Sequence, residues 1–168
     1  LLIKEEKKQS SREKIGREII RYLESETDDR MDFYKKEFLG HEVYPVILSN
    51  NLYLFSRHWD EYVYEIKRIF TESTLIINRD DTQVLLLIPS MEKPHKKDVL
   101  LACEELISIS QARYQSDIFI IVGQPCTDIG QIKLEYEKMK DQIDYQFFIT
   151  GSKCLIDDQG AFLKKEKK

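Results

Sequence analysis

Apolar positions in this chain recur with two different periods, and the switching between them predicts an alternation of helices and strands. Ile15, Ile19, Ile20 and Leu23 form a narrow stripe at helical spacing, with Ser10 and Glu13 placed as a capping box ahead of it. A second short helix is predicted around Met31 to Leu39, where Gly40 ends it. Val43 to Leu48 is a compact run with β-branched residues and predicts a strand, weakened by Pro45, which has no N–H for a ladder. Trp59, Tyr62, Val63, Ile66, Ile69 and Phe70 then return to helical spacing and predict an amphipathic helix. Thr74 to Ile77 and Gln83 to Ile88 read as two strands joined through the polar turn Arg79-Asp80-Asp81. Pro94 and Asp98 introduce a helix with Val99, Ala102, Cys103, Leu106 and Ile109 on one face, and Asp117 to Val122 is a strand stopped by Gly123 and Pro125. Thr127 or Asp128 caps the most regular helix, which carries Ile129, Ile132, Tyr136, Met139 and Ile143. Gly151 closes that region, and Lys153 to Asp157 predicts a final edge strand.

From residue 43 the order is β-α-β-β-α-β-α-β, which contains the split βαβ arrangement of α+β folds. The expected architecture is ferredoxin-like, a mainly antiparallel sheet with helices covering one face. It divides the chain into an N-terminal helical linker over 1–40, a domain over 41–160 and a charged tail over 161–168. The stripe of Ile15, Ile19 and Leu23 admits two readings: a linker helix that pairs with its copy in a homodimer, or a first helix lying on its own domain.

Length and composition agree with one globular core. The chain has 168 residues, 42% of them hydrophobic and 33% charged, well inside the range of chains that fold. The longest apolar run, Val84 to Pro89, falls about a dozen residues short of a membrane span, so no membrane contact is expected of this segment and a cytoplasmic location is. Cys103, Cys126 and Cys154 are odd in number and widely spaced, which suits reduced cysteines better than disulfides or zinc. A net charge of −4 argues against a phosphate-binding face. The chain starts at Leu1 without methionine and closes on a solvated lysine-rich run, as expected of a piece of a longer protein.

Three local stretches carry a family resemblance. Asn78-Arg79-Asp80-Asp81-Thr82-Gln83-Val84 through Pro89 resembles the GGDEF hairpin of diguanylate cyclases, with Asp80 to Val84 standing at the five signature positions. Ile121-Val122-Gly123-Gln124-Pro125, followed by Glu135-Tyr136-Glu137-Lys138-Met139, is similar to the V-G-x-x-P and S-Y-x-x-A pattern of degenerate GGDEF-like domains in bacterial regulators of the CdaR, PucR and YesN types. Tyr145-Gln146-Phe147-Phe148-Ile149-Thr150-Gly151 is similar to the Y-R-F-F-x-G of YesN-like response regulators with an AraC-type DNA-binding end. Glu135, Met139 and Gln146 depart from those patterns. The resemblance implies a nucleotide-cyclase-like sheet and a non-catalytic domain that couples signal to DNA binding in a two-component, AraC-family regulator. DNA would be touched only through a C-terminal domain outside this chain.

Cyclase chemistry needs carboxylates on the first strand and hairpin to hold two divalent cations, and glycines that admit the nucleotide. Here the first strand offers Ser49, Asn50 and Asn51 instead of an aspartate, the glycines are Asp80 and Asp81, and Gln83 stands at the acid/base position. No catalytic residue, metal or cofactor is therefore expected. Asn50, Asn51, Asp80 and Asp81 remain candidates for a retained nucleotide or metabolite pocket, the alternative to a purely coupling role. His41, His58 and His95 lack ligand spacing. Tyr62, Tyr64, Phe70, Tyr136, Tyr145, Phe147 and Phe148 read as core and interface.

Overall fold

The computed structural model of the chain describes residues 16–24, 42–50, 53–90, 95–146, 154–157 and 162–164. In chain order the elements are α1 (16–23), β1 (Val43–Ser49), α2 (Leu54–Arg57), α3 (Trp59–Ile69), β2 (Leu75–Asp80), β3 (Gln83–Pro89), α4 (Lys96–Tyr114), β4 (Phe119–Val122), α5 (Ile129–Gln146), β5 (Cys154–Asp157) and β6 (Phe162–Lys164). The strands form one sheet in the order β2-β3-β1-β4-β5-β6. Its first four strands are antiparallel neighbours, so the class is α+β as the order of elements predicts. β5 adds parallel to β4, and β6 returns antiparallel beside it.

Two expectations at the C-terminal side change. β5 is not the edge, because β6 pairs outside it, and β6 lies within the stretch expected to be a charged tail. The helix expected around Met31 to Leu39 lies outside the described residues.

Helices cover both faces of the sheet, not one. Tyr44, Val46, Leu48, Val84, Leu86, Ile88, Ile120 and Val122 share a buried cluster with residues of α2, α3 and α4. The alternate positions Val43, Ile47, Leu85, Leu87 and Ile121 share a second cluster with α1 and α5. A strand buried on both sides has no polar face, and this is why Val43 to Leu48 and Val84 to Ile88 read as unbroken apolar runs.

The second cluster separates the two readings of the N-terminal stripe. Ile19 is 0% and Leu23 2% exposed, both among side chains of the chain's own sheet. The described part of α1 is thus docked on its own domain, and these two residues are not a free seam; Ile15 lies outside the described residues. Each buried side chain of this kind contributes roughly 1.5–3 kcal/mol.

On the opposite layer, α3 and α4 are joined by a buried carboxylate. Glu65 pairs with Nη2 of Arg68 and of Arg113, each at 2.7 Å, and Tyr62 of α3 hydrogen-bonds Ser110 of α4 at 2.7 Å. Burial pushes the Glu65 carboxyl up, but the two guanidinium groups outweigh it and hold it below the usual carboxylate range. Of the remaining aromatics in the predicted core set, Phe70 and Tyr136 are buried, whereas Tyr64 is exposed; Phe147 and Phe148 lie outside the described residues.

Pro45 sits in a central strand because the ladder is irregular where its missing N–H would point. β1 pairs with Cys126 at Val43 and with Val122 at Val46, so the β4 side spends one more residue than β1 over this stretch. Gly123 fills the irregularity and donates its N–H to the Pro45 carbonyl at 2.8 Å. A Cβ on Gly123 would meet Glu135 Cγ and Met139 Sδ at 2.8 Å and Pro45 Cγ at 2.9 Å. Gly123→Ala is therefore expected to lower unfolding stability by about 1–3 kcal/mol in urea titrations. An unchanged midpoint would mean that α5 shifts freely on the sheet.

Candidate functional site

The hairpin and the end of β1 meet at one corner of the sheet. Ser49 pairs with Gln83, and the next residue, Asn50, donates its N–H to the Thr82 carbonyl at 2.9 Å. Asn50 and the Asp80-Asp81 turn, singled out separately in the sequence, are therefore neighbours. Asn51 lies outside the described residues.

The Asn50 side chain is occupied in holding backbone. It is 2% exposed; its Nδ2 donates to Ser116 Oγ at 3.0 Å and to the Asp117 carbonyl at 2.7 Å, and its Oδ1 accepts the Leu54 N–H at 3.3 Å. These contacts fall beside two non-glycine residues with left-handed backbone, Tyr53 (φ 58°) and Gln115 (φ 50°). Such conformations cost of order 1 kcal/mol each and persist where surroundings enforce them. Asn50 supplies that enforcement by bonding the residue after each.

Asp80 is likewise committed to its own turn. Its Oδ1 accepts the Thr82 N–H and hydroxyl, both at 2.7 Å, and the Gln83 N–H at 3.0 Å. Its Oδ2 accepts from Arg79 Nη1 at 3.0 Å. Burial raises the Asp80 carboxyl, yet the Thr82 bonds and the Arg79 charge outweigh it and hold it below its ordinary value. Asp81 is exposed in the turn. Among the described residues no three His, Cys, Asp or Glu side chains gather as a metal site.

Sequence reasoning missed a second set of partners. The β2–β3 register shifts between Asn78 and Asp80, leaving Arg79 as the extra residue of a bulge. Its Nη1 donates to Gln83 Oε1 at 2.8 Å, and its Nε donates to Glu24 at the end of α1. The Tyr136 hydroxyl from α5 donates to the same Glu24 oxygen at 3.0 Å, and Lys140 Nζ stands 3.7 Å away. Burial raises the Glu24 carboxyl, but Arg79, Tyr136 and Lys140 together hold it below the usual range. Burial pushes the Tyr136 hydroxyl well up, so it stays a donor. Glu24 and Tyr136 are 112 positions apart, and no local spacing announces their contact.

The second motif of the resemblance is a packing device. Glu135 Oε2 accepts the Gln124 N–H at 2.8 Å, so the glycine loop after β4 is bonded to the helix that crosses it. Elsewhere, a groove of about 270 Å³ beside strand β2, at one end of the strand order, is lined by Gly16, Arg17, Trp59, Ile76, Ile77 and Asn78. It uses none of the four predicted ligand residues. Cys103 and Cys126 are buried; Cys126 Sγ donates to the Gln124 carbonyl at 3.3 Å, and burial raises the Cys103 thiol far above its ordinary value. No helix among the described residues is long and apolar enough to cross a membrane.

The chain matches no protein-family model, no curated protein and no solved structure.

Two expectations follow from that geometry. Asn50→Asp removes both donors from Ser116 and Asp117 and buries a charge against a carbonyl, so stability at neutral pH should fall by about 2–4 kcal/mol. Denaturant titration checks this, and a loss within error would mean that the loops hold without Asn50. The second concerns acid. Glu24 and Glu65 titrate below the ordinary value of 4.5, so their stabilisation is fully present above that pH and is lost as pH falls through the depressed folded-state values. Thermal midpoints should fall more gently below about pH 5 in Glu24→Gln than in the unaltered chain; parallel curves would show that the Glu24 contacts carry no stability.

Proposed function

We propose that this chain is a non-catalytic regulatory domain, a degenerate GGDEF-like scaffold that couples an N-terminal signal to DNA binding in a bacterial, AraC-family transcription regulator. The observation that carries the reading is the state of the corner. Asn50 and Asp80, which the family resemblance sets at cation and nucleotide positions, and Gln83, which it sets at the acid/base position, are engaged with Ser116, Leu54, Thr82 and Arg79. Side chains committed to backbone and to each other serve rigidity better than turnover. The acidic balance of the chain suits a module whose DNA contacts belong to a C-terminal domain outside it, and a homodimeric, cytoplasmic regulator belongs to the same proposal.

A ligand-sensing role has one specific observation in its favour, the groove beside β2. Its lining, in which Trp59, Ile76 and Ile77 stand with Arg17 and Asn78, suits a small partly apolar metabolite better than a triphosphate.

Incubation of the chain with GTP and magnesium or manganese should yield no cyclic dimeric GMP. Product that disappears in the Asp80→Ala, Asp81→Ala double variant would overturn the non-catalytic reading. The coupling role is tested in the cell: in-frame deletion of residues 43–157 from the gene should misregulate a discrete set of transcripts. An unchanged transcriptome would remove the regulatory reading.

A further inference from the structure

Glu24 follows the last turn of α1, where a carboxylate faces the negative end of the helix dipole and disfavours the helix. The donors that offset this come from elsewhere in the fold: Arg79 from β2, and Tyr136 and Lys140 from α5. The described turns of α1 are held to the sheet by apolar contacts as well as by these donors. They dock through Ile19, Tyr22 and Leu23, with Lys133 Nζ 4.8 Å from the centre of the Tyr22 ring. Gly16 lies close to Ile77, where an added Cβ would stand 3.3 Å from Cγ1.

Arg79 is shared between two parts of the molecule. One side of its guanidinium bonds the end of α1, and the other bonds Asp80 and Gln83 in the hairpin. That hairpin in turn accepts the Asn50 N–H through Thr82. A single bulge residue thus lies between the N-terminal helix and the corner.

We propose that Glu24 and Arg79 form a latch that sets how readily α1 leaves the sheet, and that opening it is transmitted through Arg79 to the hairpin corner. In the closed state Arg79 divides its donors between Glu24 and the hairpin. In the open state α1 undocks, Ile19, Tyr22 and Leu23 become accessible, and Arg79 rests on Asp80 and Gln83 alone. Coupling of this kind is reciprocal, so a partner that rearranges the hairpin also loosens α1. The latch deepens the signal-coupling reading by giving the N-terminal side a defined moving part.

Amide exchange followed by NMR on the whole chain tests the latch directly. Glu24→Gln should speed exchange of amides 19–24 by about tenfold or more, and change that of Thr82 and Gln83, with β1 and β4 amides unaltered. Arg79→Gln should speed exchange at 19–24 to a similar degree, and combining it with Glu24→Gln should add little to either change alone. Unchanged exchange at 19–24 in Glu24→Gln overturns the latch, and so does an equal rise in β1 and β4, which marks general destabilisation. Opening of α1 with Thr82 and Gln83 untouched overturns the transmission. The readout is independent of transcription, so failure of the latch and failure of the regulatory role are told apart.

Discussion

The constraint on which the fold depends is that β1 and β3 are buried on both faces. Val46, Leu86 and Ile88 point to one helical layer and Ile47, Leu85 and Leu87 to the other, all at or near zero exposure. A two-sided sheet needs two covers, and the chain supplies α2, α3 and α4 on one side, with α1 and α5 on the other. This makes α1 part of the core layer. Without it Ile77, Leu85 and Leu87 would lose apolar cover, at a cost set by the area exposed.

Burying a sheet on both sides forces polar groups near its ends to find partners inside the protein. At the corner beyond β1, Asn50 meets that demand for the loops before α2 and after α4. At the hairpin, Asp80 does so for the turn, and at the loop after β4, Glu135 does so for Gln124. Another of these networks centres on Glu24, whose carboxylate gathers donors from β2 and α5 onto α1. Rigidity at the corner and conditional docking of α1 thus arise from the same kind of bond, used once locally and once across the fold.

The hydrophobic pattern made most of the elements legible. Strands β1, β3 and β4, helices α3, α4 and α5, and the Asp128 cap, which accepts the Gln131 N–H at 2.9 Å, follow from period, turn chemistry and capping. The unbroken apolar runs of β1 and β3 also held a sign of two-sided burial, because a sheet with one wet face alternates instead. Pro45 argued against a central strand and yet occupies one, since the irregularity opposite it removes the need for its N–H. Of the candidate site, Asp80 was legible as a turn former, whereas the role of Asn50 was not, because its partners lie 66 and 67 positions away.

By itself the sequence determined where the chain bends, which residues seek the interior and that the class is α+β, because these depend on local sterics and on side-chain period. Tertiary structure alone decided that α1 lies on the sheet, that β6 takes the edge, and that Arg79 joins Glu24 to the hairpin. Each of those outcomes is a contact between distant segments. Its energy exists only once the loops between them have closed, and local periodicity carries no record of it.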